Sequence, residues 1–309
     1  MMNNESIAKS YENMAADRDA FLSRARTCAE LTIPTLLPPE GSNGSSSFDT
    51  PFQSVGARGV NNLASKLLMT LLPPNTPFFR LTIDDFDLVE LGGDQRGKAE
   101  EALARIERSA TQTVESKAIR VPTFEALKQL IVSGNALVHM PPKGGMKVFR
   151  LDRFVIQRDS MGNLLKIIVK ESIAFEALPP EIREVLLENP EYQADTNKKE
   201  CDLFTCVRRE GAKYVVHQEV MGIIIPKSQG SYREDKLPWM ALRFISVDGE
   251  DYGRGFVEEY AGDLKSLEAL TQAIVEGSAA SAKLLFLVRP NGTTKIRNIA
   301  DSPNGGIIS

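Results

Sequence analysis

Apolar residues recur along this chain with two different periods, and the places where the period changes divide it into regions. From about Ser6 to Leu31 the positions Ile7, Tyr11, Met14, Ala15, Phe21, Leu22, Ala25 and Ala29 follow steps of three and four, which predicts a helix or helix pair ended by Ile33-Pro34. The Gly- and Ser-rich PPEGSNGSSSFD that follows has almost nothing to pack and reads as a connector. Thr50-Pro51-Phe52-Gln53 has the form of a capping box with Pro51 at the first helical position. The helix it opens would carry Val60, Leu63, Ala64, Leu67, Leu68 and Leu71 on one face and stop at Pro73-Pro74. Gly56 and Gly59 each cost about 1 kcal/mol there relative to alanine, so close backbone packing is the expected compensation.

A short strand is expected at Phe79–Ile83, then a third helix over Lys98–Ser116 and a fourth from Pro122, with Gly134 as its left-handed stop. From Ala136 the period becomes two. Leu137, His139 and Val148 to Leu151 read as strands, and FVIQRDSMGNLLKIIVKESI reads as a hairpin turning at Asp159–Gly162. PPEIREVLLENPEY predicts a short helix, Asp202–Arg208 and Lys213–Val220 a second hairpin, and LPWMALRF a further strand. Helices first, an antiparallel region next and a long helix last make the fold class α+β.

That last helix follows YGRG and is expected to run from Phe256 to Val288. At about 100° per residue, Val257, Tyr260, Leu264, Leu267, Ile274 and Leu285 share an apolar stripe, while Glu258, Lys265, Gln272, Glu276 and Lys283 gather opposite. The seam thins into Gly277-Ser278-Ala279-Ala280-Ser281-Ala282, which admits a close helix neighbour or a bend at Gly277. Little sequence follows Val288 to return along the stripe. Either neighbouring subunits cover it or a further C-terminal portion does.

The 309 residues suffice for two ordinary domains, with 42% hydrophobic and 25% charged positions. The longest apolar run, Leu284–Val288, is far below the roughly 20 residues of a membrane span. The N-terminus lacks the basic and apolar regions of a signal peptide, which places synthesis and assembly in a cytoplasm. A formal charge of −4 argues against a surface built to grip nucleic acid, though not against one that lets it slide past. Cys28, Cys201 and Cys206 lack the spacing of a zinc site and are expected to be buried, reduced thiols.

Candidate chemistry is thin. Gly92–Lys98 satisfies the glycines and lysine of a phosphate loop, but Ala99 stands where a magnesium-binding hydroxyl is required. Gly253-Arg254-Gly255 has Glu258 in place of the third glycine of a dinucleotide fingerprint. His139 and His217 lie in strand patterns and read as structural, and Asp84/Asp85 and Glu258/Glu259 point apart as neighbours do. No catalytic residue, metal site or cofactor is expected.

Four phrases carry a family resemblance: QSVGARGVNNLASKLLMTLLP (53–73), FEALKQLIVSGNALVHMP (124–141), VIQRDSMGNLLKIIVKESIAFEALPPEIR (155–183) and DGEDYGRGFVEEYAGDLKSLEALTQAIV (248–275). The chain resembles the portal proteins, or head-to-tail connectors, of short-tailed podophages of the autographivirus kind. The resemblance implies a ring, typically of twelve subunits, at one capsid vertex, with double-stranded DNA passing through its channel during packaging and ejection. It implies terminase, scaffold, major capsid and tail proteins as partners, and no membrane. It assigns 1–250 to an outer wing, 251–288 to a stem helix around the channel and 289–309 to the start of a clip. On that basis the stripe residues contact neighbouring subunits or a returning helix, and Glu258, Gln272 and Glu276 face the channel. Lys283, Arg289, Lys295 and Arg297 become candidates for contact with DNA, motor or tail. A tail-adaptor or head-completion protein, and a nucleotide-dependent packaging enzyme using Gly92–Lys98, are the alternatives.

Overall fold

The helix predicted from Ser6 forms as one piece, α1 (Ile7–Glu30), in a computed structural model that describes residues 6–43, 45–74, 76–83, 92–188 and 200–282. The other helices are α2 (Val55–Leu71), α3 (Gly92–Ser116), α4 (Arg120–Ser133), α5 (Pro180–Glu188), α6 (Phe256–Glu259) and α7 (Ala261–Ser281). A three-stranded antiparallel sheet has the order β2 (Lys147–Phe149), β1 (Asn135–His139), β9 (Trp239–Arg243). A larger antiparallel sheet runs β3 (Phe154–Arg158), β4 (Leu164–Ala174), β5 (Glu200–Glu210), β6 (Lys213–Val220), β7 (Ile223–Ile224), with β8 (Gly230–Arg233) also on β6. The fold is α+β, as the change of period predicts.

Both expected hairpins form, β3–β4 and β5–β6, the second with Glu210 opposite Lys213. The Asp159 carboxylate tightens the first turn by accepting from the Met161 and Asn163 amides at 2.9 and 2.7 Å. β7 and β8 have no counterpart in the sequence reading, because runs of two to four residues carry too little alternation to register.

The main core joins α1, α2 and α4 to both sheets through residues such as Leu22, Val60, Ile131, Leu137, Phe154, Ile167 and Trp239. The first turns of α1 lie on the large sheet, where Ile7 and Tyr11 meet Val155, Ile168 and Phe204. In α2, Val60 and Ala64 are buried and Leu63, Leu67 and Leu68 pack partly against the core, but Leu71 at the end of the stripe is exposed.

Two expectations need correcting, and one rejected motif is accounted for. The capping box at Thr50 is not used: α2 starts at Val55, and Gln53 does the capping by accepting from the Gly56 amide at 2.9 Å while donating to the Leu31 carbonyl at 2.7 Å. No strand forms at 79–83, where the alternating residues meet no partner strand, and the Leu81 amide instead donates to the Glu107 carboxylate at 2.6 Å. Gly92–Lys98 forms the first turns of α3 and not a loop followed by a helix, so the turn that wraps a phosphate in a phosphate loop is not formed by these residues. That removes the basis of the packaging-enzyme alternative. Cys28, Cys201 and Cys206 are buried and none forms a disulfide. Burial, aided by Glu258, pushes the Cys28 thiol up to about 11.

The two α2 glycines have separate roles. A Cβ at Gly56 would sit 2.5 Å from the Leu31 carbonyl oxygen, whereas one at Gly59 would meet nothing within 4 Å. Gly59→Ala is therefore expected to stabilise the fold by about 0.5–1 kcal/mol, and Gly56→Ala to destabilise it by about 1–3 kcal/mol. Denaturation midpoints moving in opposite directions check the pair; a common direction would contradict the packing.

Candidate functional site

The terminal helix is held at its root by main chain laid against main chain. α4 ends at Gly134, whose φ of 75° is the left-handed stop the sequence predicts. The next residue, Asn135, is buried, and its side-chain amide grips Gly253 twice. Nδ2 donates to the Gly253 carbonyl at 2.8 Å, and the Gly253 amide donates to Oδ1 at 2.7 Å. The Phe244 amide donates to the Gly134 carbonyl at 2.9 Å, and Ile245 and Arg254 exchange a pair of backbone bonds at 3.2 and 2.9 Å.

Glycine is required where these chains touch. A Cβ at Gly253 would lie 2.8 Å from the Gly134 carbonyl oxygen, and one at Gly255 would lie 2.4 Å from that of Val132. Tyr252 fastens the same segment to the large sheet: it is 2% exposed, its ring lies 5.2 Å from Phe21, and its hydroxyl accepts from the Ile156 amide at 2.9 Å. Burial pushes its phenol well above the usual range. Asp251 accepts from the Arg158 amide at 2.7 Å, and the Arg158 guanidinium donates to the carbonyls of Asp251, Gly162 and Ala241. The GRG that failed as a nucleotide fingerprint is thus a seat for a helix.

Charge surrounds the seat. Arg254 donates to Glu250 at 2.7 Å and to Glu258 at 3.2 Å, and Glu258 is 3.6 Å from Arg24. The hydrogen bond from Arg254 holds the Glu250 carboxyl below its ordinary range. Val257 is buried in the main core, with Phe256 and Leu264 packed against it. Tyr260 closes α6 and opens α7, so the single helix expected from Phe256 is broken there, whereas α7 passes through Gly277 unbroken.

Above the break α7 stays on the body for three turns. Glu268 fixes it there by accepting from the Phe52 and Gln53 amides at 2.8 and 3.2 Å, which also satisfies two amides just before α2. An apolar groove of about 360 Å³ opens beside this root, lined by Val55, Gly59, Leu63, Phe256, Tyr260 and Leu264 among others. From Gln272 to Ala282 every residue is exposed, Ile274 to 68%; Leu270, one turn earlier, is at 63%.

The predicted stripe therefore divides. Val257 is a correction: it is covered by its own chain and offers nothing to a neighbour, because the break at Tyr260 turns α6 onto α4. Leu264 and Leu267 are half-buried, and Tyr260 and Ile274 are exposed. Of the polar set, Glu258 is engaged by Arg254 and Arg24, while Gln272 donates to Glu276 at 2.8 Å on the exposed part. Leu285, Lys283, Arg289, Lys295 and Arg297 lie outside the described residues. Asn135, Tyr252 and Glu268 were not singled out from sequence; the Gly134-Asn135 pair after a helical run was the available signal.

A sequence model described as bacteriophage head to tail connecting protein matches residues 4–307. The chain belongs to this family. Within the connector family it is 41% identical to the portal protein of Escherichia phage T7 over 316 aligned positions, which cover 99% of this chain and 58% of that protein. It is 42% identical to the portal protein of Enterobacteria phage T3, covering 96% and 57%, and 31% identical to that of Enterobacteria phage SP6, covering 98% and 59%. The chain spans a little under three fifths of the length of these curated relatives. Among the described residues, no group of three or more His, Cys, Asp or Glu is placed to hold a metal, and no helix is long and apolar enough to cross a membrane.

Proposed function

We propose that the chain is the wing and stem of a portal subunit, which forms a ring at one capsid vertex, passes double-stranded DNA through the ring and joins head to tail. The observation that carries this reading is α7: riveted at its root, then standing clear of its own subunit with Leu270, Ile274 and Val275 exposed. Large apolar side chains in such a row mark a contact surface. Different surfaces meeting head to tail close into a ring when the rotation permits.

On this reading residues 1–250 are the wing, 251–288 the stem and 289–309 the start of the clip, in a ring of twelve within the virion, assembled in the host cytoplasm. Terminase, scaffold, major capsid and tail proteins are its partners, and it works without catalysis or cofactor. Gln272 and Glu276 suit a channel wall, because neutral and acidic groups do not bind phosphates by counterion release and so leave DNA free to slide. Lys283, Arg289, Lys295 and Arg297 supply the few cations for transient contact with DNA, motor or tail.

Native mass spectrometry at micromolar concentration tests the assembly. A closed ring of high order is expected, and a monomer at every concentration would overturn the ring reading.

A further inference from the structure

A second cleft, of about 380 Å³, lies between α1, the Pro38–Ser42 turn, the Arg150–Arg153 turn and β4. Five cationic side chains line it, Arg18, Arg26, Arg150, Arg153 and Lys170. Three carboxylates oppose them once Asp202, 2.9 Å from Lys170, is counted with the lining Asp152 and Glu40. Asp152 is held in a fork by Arg150 at 3.2 and 3.0 Å. Glu40 reaches Arg26 only at 3.9 Å, with its side chain 87% exposed, and so does little to neutralise it. The cleft keeps an excess of positive charge.

Arg18 shows that this excess is built in. It occupies a position of α1 that faces the core, between Tyr11 and Leu22, and is 5% exposed. Its Nη1 donates to the Leu151 and Phe154 carbonyls at 3.0 and 2.8 Å and lies 3.4 Å from the Tyr11 hydroxyl. Carbonyl oxygens orient a guanidinium but do not neutralise it, and no carboxylate among the described residues lies within ion-pair distance of Arg18. Its Nε is buried without a hydrogen-bond partner, and so is the Nε of Arg26, two turns further along the same helix. Buried cations are ordinarily compensated by an anion, since desolvation without one is heavily unfavourable.

We propose that this cleft binds an oxyanion of the phosphate class. Guanidinium groups match phosphate oxygens in a fork, and here they come from two walls, α1 and the turn at Arg153, with the Lys170 ammonium on a third. Donors on several walls suit a tetrahedral dianion better than a planar carboxylate, which presents two oxygens in one plane. The anion is either free, as phosphate or a nucleotide, or part of a nucleic-acid backbone.

Titration calorimetry of the 309-residue chain with inorganic phosphate, at constant ionic strength against chloride, tests the site, with 31P line broadening as a second readout. Saturable binding with Kd on the order of 1 mM or tighter is expected. Arg26→Gln with Arg153→Gln should weaken it at least about ten-fold while leaving the melting temperature in chloride unchanged, and Arg153→Gln alone, at a half-exposed side chain, should weaken it by a smaller factor. Displacement of phosphate by a short DNA duplex would assign the site to the nucleic-acid backbone, and no displacement would assign it to the free anion; both uphold it. Non-saturable binding, equal binding by the double variant, or succinate binding as tightly as phosphate would each overturn the proposal.

Discussion

One methyl group at Gly255 is expected to unseat the terminal helix. An alanine Cβ there would lie 2.4 Å from the Val132 carbonyl oxygen, 2.8 Å from its carbon and 2.9 Å from the Ile131 carbonyl oxygen. All three are backbone atoms in the last turn of α4, so no side-chain rotation relieves the clash. Relief requires α6 to move away from α4, which would break the paired bonds between Asn135 and Gly253 and lift Val257 from the core. The expected loss is on the order of 3 kcal/mol or more, the upper end of what overpacking costs. Denaturation midpoint and hydrogen exchange at the Phe256–Leu264 amides measure it. A Gly255→Ala protein with both unchanged would mean that the seat is slack.

Charging the free part of α7 should act on assembly rather than on folding. Leu270 and Ile274 lie mainly in solvent in the subunit, so Leu270→Asp with Ile274→Asp removes little burial and should leave the melting temperature within a few degrees. In the proposed ring those positions would meet neighbours, and each subunit contact would then bury two unpaired carboxylates, costing several kcal/mol at every contact. Rings are expected to give way to monomers in native mass spectra. Intact rings from this variant would show that the exposed face is not the contact. The same experiment at Val257 or Leu264 would confuse the two effects, since those side chains belong to the subunit's own core.

Much of this was legible in the sequence because long elements carry their period many times over. α1 repeats its apolar step across 24 residues, and the β3–β4 and β5–β6 hairpins alternate on either side of a turn with a glycine in it. The contacts of the root were not legible. Asn135 grips a glycine 118 positions away, and Glu268 takes two amides about 215 positions away, and nothing local distinguishes either residue from a surface polar one. Arg18 failed in the opposite sense: a helical period treats a charged residue as outward-facing, while carbonyls from the Leu151 turn draw this one inward. The break at Tyr260 has no proline or adjacent glycine pair before it, so the period runs through it unmarked.

The joint at Tyr260 gives the chain the mechanics of a lever. On one side of it the backbone is clamped by glycines that admit no methyl group, and on the other α7 extends roughly 30 Å as a stiff rod. Force on the rod near Ser281 would arrive at its root as torque about the Glu268 brace, and would reach the core through Leu264 and α6. The tilt of the rod is therefore set at its first turns, by Leu264 packed against the core and by the two hydrogen bonds of Glu268, and not by anything along its outer half.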